Sequence, residues 1–402
     1  MREPIQWIKN EMPREVAAGM LALFSDDQRA KIRNFHRSFP QYNETPLVHL
    51  KNLSEQLGIG GLYVKDESFR FGLNSFKVLG GTYAVGRYVA QRLGKDISQI
   101  SYDTFLAPET KEAVGEITFY TVTDGNHGRG VAWAANKLGQ KSVIRMPHGS
   151  SEARVANIRA EGADVQVMDL NYDDAIRVVA RMAESDPNGV LVQDTDWVGY
   201  EQIPSWIVQG YSTVAAEAHE QLQSLGIWKP THIFLQAGVG AFAGSIQGYF
   251  ASIYGEDCPT TTVVEASAAN CHYRSALAGR RIPVGGDLST IMAGLACGEA
   301  CGISWDILKN NAKFFTSVSD WVTAYGMRML GAPCKGDTRI ISGESGAVTA
   351  GLVAALMTDD ANKDFREALN LNESSIVLVV STEGDTDPVR YKDIVWNGYC
   401  PS

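Results

Sequence analysis

The chain has 402 residues, of which 45% are hydrophobic and 20% are charged, a composition typical of a globular protein and not of a disordered one. This length favours two domains over one. The formal net charge of −10, without a cluster of lysine and arginine, argues against a nucleic-acid partner.

The N-terminal segment, residues 1–20, mixes acidic and basic residues and lacks the apolar core of a signal peptide. No apolar run in the sequence approaches the ~20 residues that a membrane helix requires. We therefore expect a cytoplasmic protein that has no membrane partner.

The six cysteines lack the paired spacing of a zinc site, so we predict reduced structural thiols and no bound metal. One alternative stays open. Cys271 could pair with Cys297 or Cys301, because the segment RRIPVGGDLST between them resembles a loop whose ends a disulfide would pin.

Strand-like apolar runs alternate with helical patterns along most of the chain, which indicates βαβ units and an α/β fold of open, mostly parallel sheets flanked by helices. We place a large discontinuous domain at residues 1–84 and 201–402 and a smaller inserted domain at residues 85–200. The predicted strands cover residues 61–68, 117–123, 141–147, 164–169, 190–194, 232–238, 261–266 and 376–382. The clearest predicted helices cover residues 128–138, 152–161, 172–185, 205–225, 241–254 and 346–357.

Loops that contain glycine follow three of these strands, at the sheet edge where ligands bind in such folds. They are DGNHGRG (124–130), AGVGAFAG (237–244) and STEGDTD (381–387). Backbone N–H groups at a helix start attract anions, so phosphate is the natural ligand of the second loop. That loop also approximates a dinucleotide-binding pattern, with Glu265 ending the next strand, so a dinucleotide-dependent oxidoreductase stays an alternative.

Lys77 stands between two apolar residues in NSFKVLGG (74–81), where we predict that a helix begins. Burial at a helix N-terminus disfavours the ammonium form, and a neutral amine is the form that condenses with an aldehyde. For this segment taken alone, a lysine that extends to the surface is the other interpretation.

The segments NSFKVLGG, TDGNHGRG, AGVGAFAG, GESGA and STEGD, in this order, resemble the fold type II family of pyridoxal-phosphate enzymes, which includes threonine and serine dehydratases and tryptophan synthase β. The resemblance implies that pyridoxal 5′-phosphate lies between the two domains, with Lys77 forming a Schiff base to it. Asn126 would contact the 3-hydroxyl of the ring, and Ser381 or Thr382 would face the ring nitrogen. The residues implied to bind the phosphate through their backbone are Gly238, Val239, Gly240, Ala241 and Phe242.

Asp124 occupies a position where the dehydratases of this family usually carry serine. A carboxylate there could act as a base toward the α-proton or attract an ammonium group on the substrate Cβ, although a helix cap is the alternative. Asp194, at the end of a predicted strand, either faces the cofactor as a second acid or is a turn residue. Thr123 and His127 are further candidates for substrate binding, although His127 also suits a local hydrogen bond.

Two longer segments, TDGNHGRGVAW (123–133) and QDTDWVGYEQIPSWIVQGYSTVAAE (193–217), resemble the diaminopropionate ammonia-lyases, which convert 2,3-diaminopropionate to pyruvate and two ammonia molecules. The resemblance implies that substrate displaces Lys77 to form an external aldimine. A base then removes the α-proton, ammonia leaves Cβ, and the aminoacrylate is released and hydrolysed. Lys77 and Asp124 would act on opposite faces, so that both enantiomers react, and Asp194 would aid binding or proton transfer.

The expected partner is therefore a small amino acid, and the resemblance also implies a homodimer. Three other functions stay open within or beyond this family. They are a threonine or serine dehydratase or β-replacement synthase of the same fold, the dinucleotide-dependent oxidoreductase, and a binding protein without catalytic activity.

Overall fold

Two β-sheets organise the computed structural model, which describes residues 3–13 and 18–400. The strands of these residues are β1 (Gln6–Lys9), β2 (Leu47–His49), β3 (Gly61–Asp66), β4 (Thr118–Val122), β5 (Lys141–Met146), β6 (Asp164–Val167), β7 (Gly189–Leu191), β8 (His232–Gln236), β9 (Thr260–Ala266), β10 (Phe314–Val318) and β11 (Ile376–Ser381). The larger sheet has the order β1-β10-β9-β8-β11-β3-β2, and the smaller has the order β6-β5-β4-β7.

Parallel pairing dominates both sheets. The smaller sheet is parallel throughout, and in the larger sheet only the edge strands β1 and β2 are antiparallel to their neighbours. The central strand β8 is buried along its whole length, and β9 and β11 are buried except at their first residue. Continuous apolar sequences are expected for strands that helices cover on both faces.

Helices connect most of the strands and cover both sheets. They are α1 (Ala18–Leu21), α2 (Asp26–Arg37), α3 (Lys51–Leu57), α4 (Lys77–Arg92), α5 (Tyr102–Leu106), α6 (Pro108–Val114), α7 (Asn126–Lys137), α8 (Glu152–Ala160), α9 (Tyr172–Ser185), α10 (Gln202–Ser224), α11 (Ala241–Tyr254), α12 (Cys271–Ala278), α13 (Gly302–Asn311), α14 (Asp320–Gly331), α15 (Glu344–Thr358), α16 (Lys363–Leu369) and α17 (Pro388–Val395).

Helix α4 contacts a helix from each sheet. It packs against α7, which connects β4 to β5 in the smaller sheet, and against α10, which precedes β8 of the larger sheet. A Cβ atom on Gly81 would lie 3.1 Å from the backbone nitrogen of Val131, and one on Gly130 would lie 2.8 Å from the Cα of Val78. The helices α4 and α7 therefore touch backbone to backbone, which requires glycine. This contact explains the glycines that follow Lys77, the first residue of α4.

The predicted α/β fold is confirmed, and all eight predicted strands are present with ends that differ by at most three residues. The strands β1, β2 and β10, which have three to five residues each, were not predicted from the sequence. The predicted domain boundary at residues 84 and 85 falls inside α4, and the one at residues 200 and 201 falls just before α10. The division into two domains itself stays a prediction.

A buried ionic cluster, formed by Arg33, Lys65, Glu67, Arg70 and Glu217, joins the larger sheet to α2 and α10. The Glu217 carboxylate lies 2.7 Å from Lys65 Nζ, 2.8 Å from Arg70 Nη2 and 3.1 Å from Arg33 Nη1. Burial alone would raise the pKa of Glu217, but the neighbouring cations outweigh it and hold the pKa below its usual range. Three cations thus share one buried carboxylate, although Arg70 also pairs with Glu67 and Arg33 with Glu220.

None of the helices in the described part of the chain combines the length and the apolar character needed to cross a membrane. The six cysteine thiols are all free, so the alternative disulfide between Cys271 and Cys297 or Cys301 is absent from this structure.

Candidate active site

One cavity opens at the carboxyl ends of β8 and β11 and next to the start of α4, and its non-protein space is about 590 Å³. The cavity brings together most of the predicted site residues, although they come from distant parts of the chain. The predicted residues that line it are Lys77, Asp124, Asn126, Asp194, Gly238, Val239, Gly240, Ala241, Phe242 and Thr382.

Lys77 and Asp194 form an ion pair inside the cavity, with 2.8 Å between Nζ and Oδ2. The other carboxylate oxygen of Asp194 accepts hydrogen bonds from the Tyr172 hydroxyl at 3.0 Å and the Gln193 side-chain amide at 3.2 Å. Asp194 is 1% exposed. It is therefore a buried member of the site and not a turn residue on the surface.

The charge of Lys77 differs from the sequence-based expectation. Burial lowers the pKa of Lys77, but the carboxylates of Asp194 and Asp124 outweigh that effect and hold the pKa well above its ordinary value. For Asp194, the ammonium of Lys77 and the hydrogen bond from Tyr172 outweigh burial and hold the pKa below its usual range. The expectation of a neutral amine in the free side chain was wrong, because the sequence does not reveal that Asp194 faces Lys77.

Asp124 and Asn126 reach the cavity from the loop after β4 and the first residue of α7. Asp124 also lines a neighbouring, more open cleft, together with Tyr172 and Cys297. Asp124 thus stands where the cavity meets that cleft, and its side chain can face a molecule that passes from one to the other.

The glycine loop between β8 and α11 supplies part of the cavity wall through residues 238–242. Gly240 is the N-cap of α11 and has a φ of +90°, a conformation that favours glycine. A Cβ atom on Gly238 would lie 2.8 Å from the carbonyl oxygen of Gly294. The loop therefore needs these glycines, and the first N–H groups of α11, which have no partner within the helix, suit a phosphate.

Three predicted site residues do not line the cavity. Thr123 is fully buried, and its hydroxyl accepts hydrogen bonds from the N–H groups of Gly125 and Gly128. His127 Nε2 donates to the carbonyl of Val192 at 2.8 Å, and burial lowers the pKa of this histidine. The hydroxyl of Ser381 donates to Ser342. Of the two candidates for the ring nitrogen, the geometry thus favours Thr382, and direct substrate contacts of Thr123 and His127 are not supported.

Several residues of the cavity were not predicted from the sequence, among them Tyr172, Tyr211, Gln236 and Glu383. Glu383 lies within STEGDTD, a loop that was predicted to contribute to the site, but its side chain was not among the predicted site residues. Tyr172 begins α9 and Tyr211 lies in the middle of α10, where a single tyrosine is indistinguishable from a packing residue. Their contribution depends on tertiary placement, for which the sequence carries no local signal.

Glu265 was the acid of the alternative dinucleotide pattern, and it is the residue before the last one of β9. Its Oε1 accepts hydrogen bonds from the backbone and from Nδ1 of His272, and its Oε2 accepts one from the backbone of Tyr273. Glu265 therefore binds the start of α12, and both of its oxygens are engaged there. Together with Cys271 and His272 it brings three possible metal-ligand atoms within 4.8 Å, although the prediction that the protein binds no metal stays a prediction.

The parallel sheets, the lysine at the start of α4 and the glycine loop at the start of α11 define a class of enzymes that hold a phosphorylated aldehyde. The chain belongs to the pyridoxal-phosphate dependent enzyme family, which matches residues 39–382. The cofactor is therefore pyridoxal phosphate, and the cavity fits it because Lys77 offers an amine and the loop offers backbone N–H groups.

The chain is also similar to individual members of this family. The chain is 50% identical to a diaminopropionate ammonia-lyase of Salmonella typhimurium over 99% of each chain. It also resembles the crystal structure of diaminopropionate ammonia-lyase from Escherichia coli in complex with D-serine, with a TM-score of 0.91, 44% identity, and coverage of 99% of this chain and 98% of that one. A structure of the same E. coli enzyme with an aminoacrylate-PLP azomethine reaction intermediate has a TM-score of 0.90, 44% identity, and coverage of 99% and 98%.

Replacing Gly240 with alanine is expected to weaken cofactor binding by ~10-fold or more, about 1.4 kcal/mol. The new Cβ would lie 2.3 Å from Nε2 of the buried His272, and the φ of +90° is unfavourable for alanine. The matched control is Gly279→Ala, which has a φ of +68° and open space around its Cβ position. Titration of the cofactor-free proteins with pyridoxal phosphate measures the effect, and equal affinities in the two variants would contradict a special role of Gly240.

Proposed function

We propose that this protein eliminates ammonia from 2,3-diaminopropionate, giving pyruvate and a second ammonia. The observation that carries the proposal is the pair of carboxylates, Asp124 and Asp194, in the same cavity as Lys77. A diamino acid carries one more ammonium group than serine or threonine. Opposite charges attract strongly in a partly desolvated cavity, so the second carboxylate favours a diamino acid over a hydroxy amino acid.

The cofactor, when bound, draws electrons away from the substrate α-carbon and so makes its proton acidic. We assign Lys77 to hold the cofactor through its amine and afterwards to take up the α-proton on one face of the substrate. Asp124 is assigned to the opposite face, at the junction of the cavity and the neighbouring cleft. The amino group on Cβ is already an ammonium, so it leaves as neutral ammonia with the electrons of the Cβ–N bond and needs no further proton.

Asp194 is assigned to orient Lys77 and to exchange protons with its amine. Its distance of 2.8 Å to Nζ and its hydrogen bond from Tyr172 hold the carboxylate in one position. Asn126 and Thr382 are assigned to the ring substituent and the ring nitrogen of the cofactor, and residues 238–242 to its phosphate.

The proposed function is tested by two measurements on the purified protein loaded with pyridoxal phosphate. Diaminopropionate should change its visible absorption spectrum, and pyruvate and ammonia should appear in a ratio of one to two. Serine and threonine serve as competing substrates. Faster production of pyruvate from serine, or of 2-oxobutyrate from threonine, than of pyruvate from diaminopropionate would overturn the proposal.

Serine elimination is the second candidate, and one observation favours it. The related E. coli enzyme has been crystallised in complex with D-serine. If the hydroxyl group can occupy the position of the Cβ ammonium, serine should react by the same steps but without the attraction to the carboxylates. We therefore expect a lower kcat/KM for D-serine than for diaminopropionate, measured as pyruvate release in the same assay.

Asp124→Asn is expected to lower kcat for D-diaminopropionate by ~10² to 10⁴-fold, the usual contribution of a general base. The L-isomer is the internal control, because Lys77 is assigned to its proton. Loss of attraction to the Cβ ammonium would raise KM for both isomers alike, so kcat and KM separate the two roles. If turnover of the D-isomer were unaffected, the assignment of Asp124 to that face would be wrong.

We further propose that the protein acts as a homodimer, as the family resemblance implies, and that it acts in the cytoplasm. Light scattering of the purified protein at several concentrations measures the oligomeric state. A monomer that retains full activity would contradict the dimer as the active form.

A further inference from the structure

Tyr211 carries a buried hydroxyl group on the wall of the cavity, and the proposed chemistry does not use it. The residue is 0% exposed, and its hydroxyl has no hydrogen-bond partner within residues 3–13 and 18–400. Tyr211 lines the cavity together with Lys77 but is not one of the described residues that line the neighbouring cleft. Because an unpaired buried hydroxyl costs free energy, its place on a cavity wall points to a ligand that supplies the partner.

The ring of Tyr211 packs against the segment that carries Lys77. Its centroid lies 4.7 Å from that of Phe76, the residue before Lys77, in an edge-to-face arrangement. A Cβ atom on Gly80 would lie 2.7 Å from Cζ of Tyr211, the ring carbon that bears the hydroxyl. The hydroxyl end of the ring therefore lies beside the first turn of α4, which begins at Lys77.

The same aromatic contacts extend to the glycine loop. The ring centroids of Phe76 and Phe242 are 4.5 Å apart. Phe242 is the second residue of α11 and belongs to residues 238–242, the segment assigned to the cofactor phosphate. Tyr211, Phe76 and this segment all line the cavity, so they form one continuous part of its wall.

The Tyr211 hydroxyl is a donor without an acceptor on the protein. The carboxylate of Asp194 is engaged by Lys77 at one oxygen and by Tyr172 and Gln193 at the other. Burial raises the pKa of Tyr211 and outweighs the opposite effect of the Lys77 ammonium. The phenol therefore keeps its proton at neutral pH, and an acceptor for that proton must come from the bound ligand.

We propose that Tyr211 is a cofactor-binding residue whose hydroxyl donates a hydrogen bond to the phosphate of pyridoxal phosphate. This inference deepens the proposed function, because it rests on the assignment of residues 238–242 to that phosphate. It does not depend on which amino acid the protein consumes. The phosphate is anionic and is the strongest acceptor that the cofactor offers, so this hydrogen bond is charge-assisted.

The order of the substituents on the cofactor ring supports this assignment. The ring carbon that bears the aldehyde lies between the carbon that bears the 3-hydroxyl and the carbon that bears the phosphate arm. Lys77 is assigned to the aldehyde, and Asn126, which begins α7 beside the smaller sheet, is assigned to the 3-hydroxyl. The phosphate arm is then directed toward the larger sheet, where Tyr211 on α10 and residues 238–242 lie.

Tyr211→Phe removes the hydroxyl and keeps the ring that packs against Phe76 and Gly80. Three ligands distinguish the possible partners of the hydroxyl. Pyridoxal phosphate has both the aldehyde and the phosphate, pyridoxal lacks the phosphate, and pyridoxamine 5′-phosphate lacks the aldehyde that Lys77 binds. We expect the variant to bind the two phosphorylated ligands ~10 to 100-fold more weakly, the effect of one hydrogen bond to a charged group, and to bind pyridoxal as the wild type does.

Titration of the full-length protein, freed of cofactor, with each ligand measures the three affinities by tryptophan fluorescence. Unchanged affinities for all three ligands would overturn the inference. An equal loss for pyridoxal would also overturn it, because the hydroxyl would then act on Lys77 or on the ring and not on the phosphate. The matched control is Tyr83→Phe. Tyr83 is also a 0% exposed tyrosine, on α4, but it does not line the cavity, so this variant should bind all three ligands normally.

Thermal unfolding without cofactor keeps the test decisive if Tyr211→Phe binds no ligand at all. The variant should then unfold at the wild-type Tm or above it, because it lacks an unpaired buried hydroxyl. A lower Tm without cofactor would show that the hydroxyl stabilises the protein itself and would overturn the inference. The two proposals fail separately, because absent turnover of diaminopropionate would contradict the proposed function and leave the three affinities unaffected.

Discussion

Replacing Lys77 with alanine is expected to lower turnover of diaminopropionate by ~10³-fold or more and to abolish the covalent link to the cofactor. Among residues 3–13 and 18–400, Lys77 is the one lysine on the cavity wall, and its amine pairs with Asp194 at 2.8 Å. Alanine removes both the nucleophile and the proton carrier. Borohydride treatment followed by mass spectrometry should find cofactor attached to position 77 in the wild type and none in the variant.

Two further variants distinguish the chemistry of the amine from its charge. Lys77→Arg keeps a cation that can pair with Asp194, but a guanidinium does not lose its proton in proteins and cannot form the link, so it should be as inactive as alanine. Lys51→Ala removes an exposed lysine that pairs only with Glu55, and it should retain activity. Substantial turnover by Lys77→Arg would show that a positive charge alone suffices and would contradict the assigned role.

Replacing Glu217 with alanine is expected to lower the free energy of unfolding by about 3–5 kcal/mol, the usual cost of removing one partner from a buried ion pair. Its carboxylate faces Lys65, Arg70 and Arg33, and the side chains of Lys65, Arg70 and Glu217 are 0% exposed. The variant would leave these cations buried with fewer partners. Urea unfolding, followed by tryptophan fluorescence, measures the change.

The matched control is Glu220→Ala, one helical turn further along α10. Glu220 also pairs with Arg33, at 2.8 Å, but its side chain is 50% exposed, so its loss should cost less than about 1 kcal/mol. Because the folded-state pKa of Glu217 is lowered, its contribution is present at neutral pH and is lost as pH falls through that pKa. Equal losses in the two variants would contradict the importance of the buried cluster.

Much of the fold could be predicted because its signals are local. Alternating apolar runs and helical patterns predicted eight of the eleven described strands, and glycines indicated the loops at their carboxyl ends. Lys77 was identified from its position between apolar residues, and the structure does begin α4 there. These loops line one cavity because the carboxyl ends of parallel strands lie at the same edge of a sheet.

The rest could not be predicted because it depends on contacts between distant residues. Lys77 and Asp194 are 117 positions apart, so the sequence suggested a neutral amine where the structure has an ion pair. The choice of Thr382 over Ser381 depends on which side chain turns into the cavity, and neighbouring hydroxyls in a sequence look alike. Glu383 was likewise indistinguishable from a polar loop residue.

The backbone contact of α4 with α7 has a mechanical consequence. With no side chains between Gly81 and Gly130, the two helices have no soft layer that could absorb sliding. The contact includes the carbonyl oxygen of Lys77, which would lie 3.3 Å from a Cβ atom on Gly130. Asn126 begins α7 only four residues before Gly130, so any rotation of the two sheets that preserves the contact keeps Asn126 and Lys77 in register with each other.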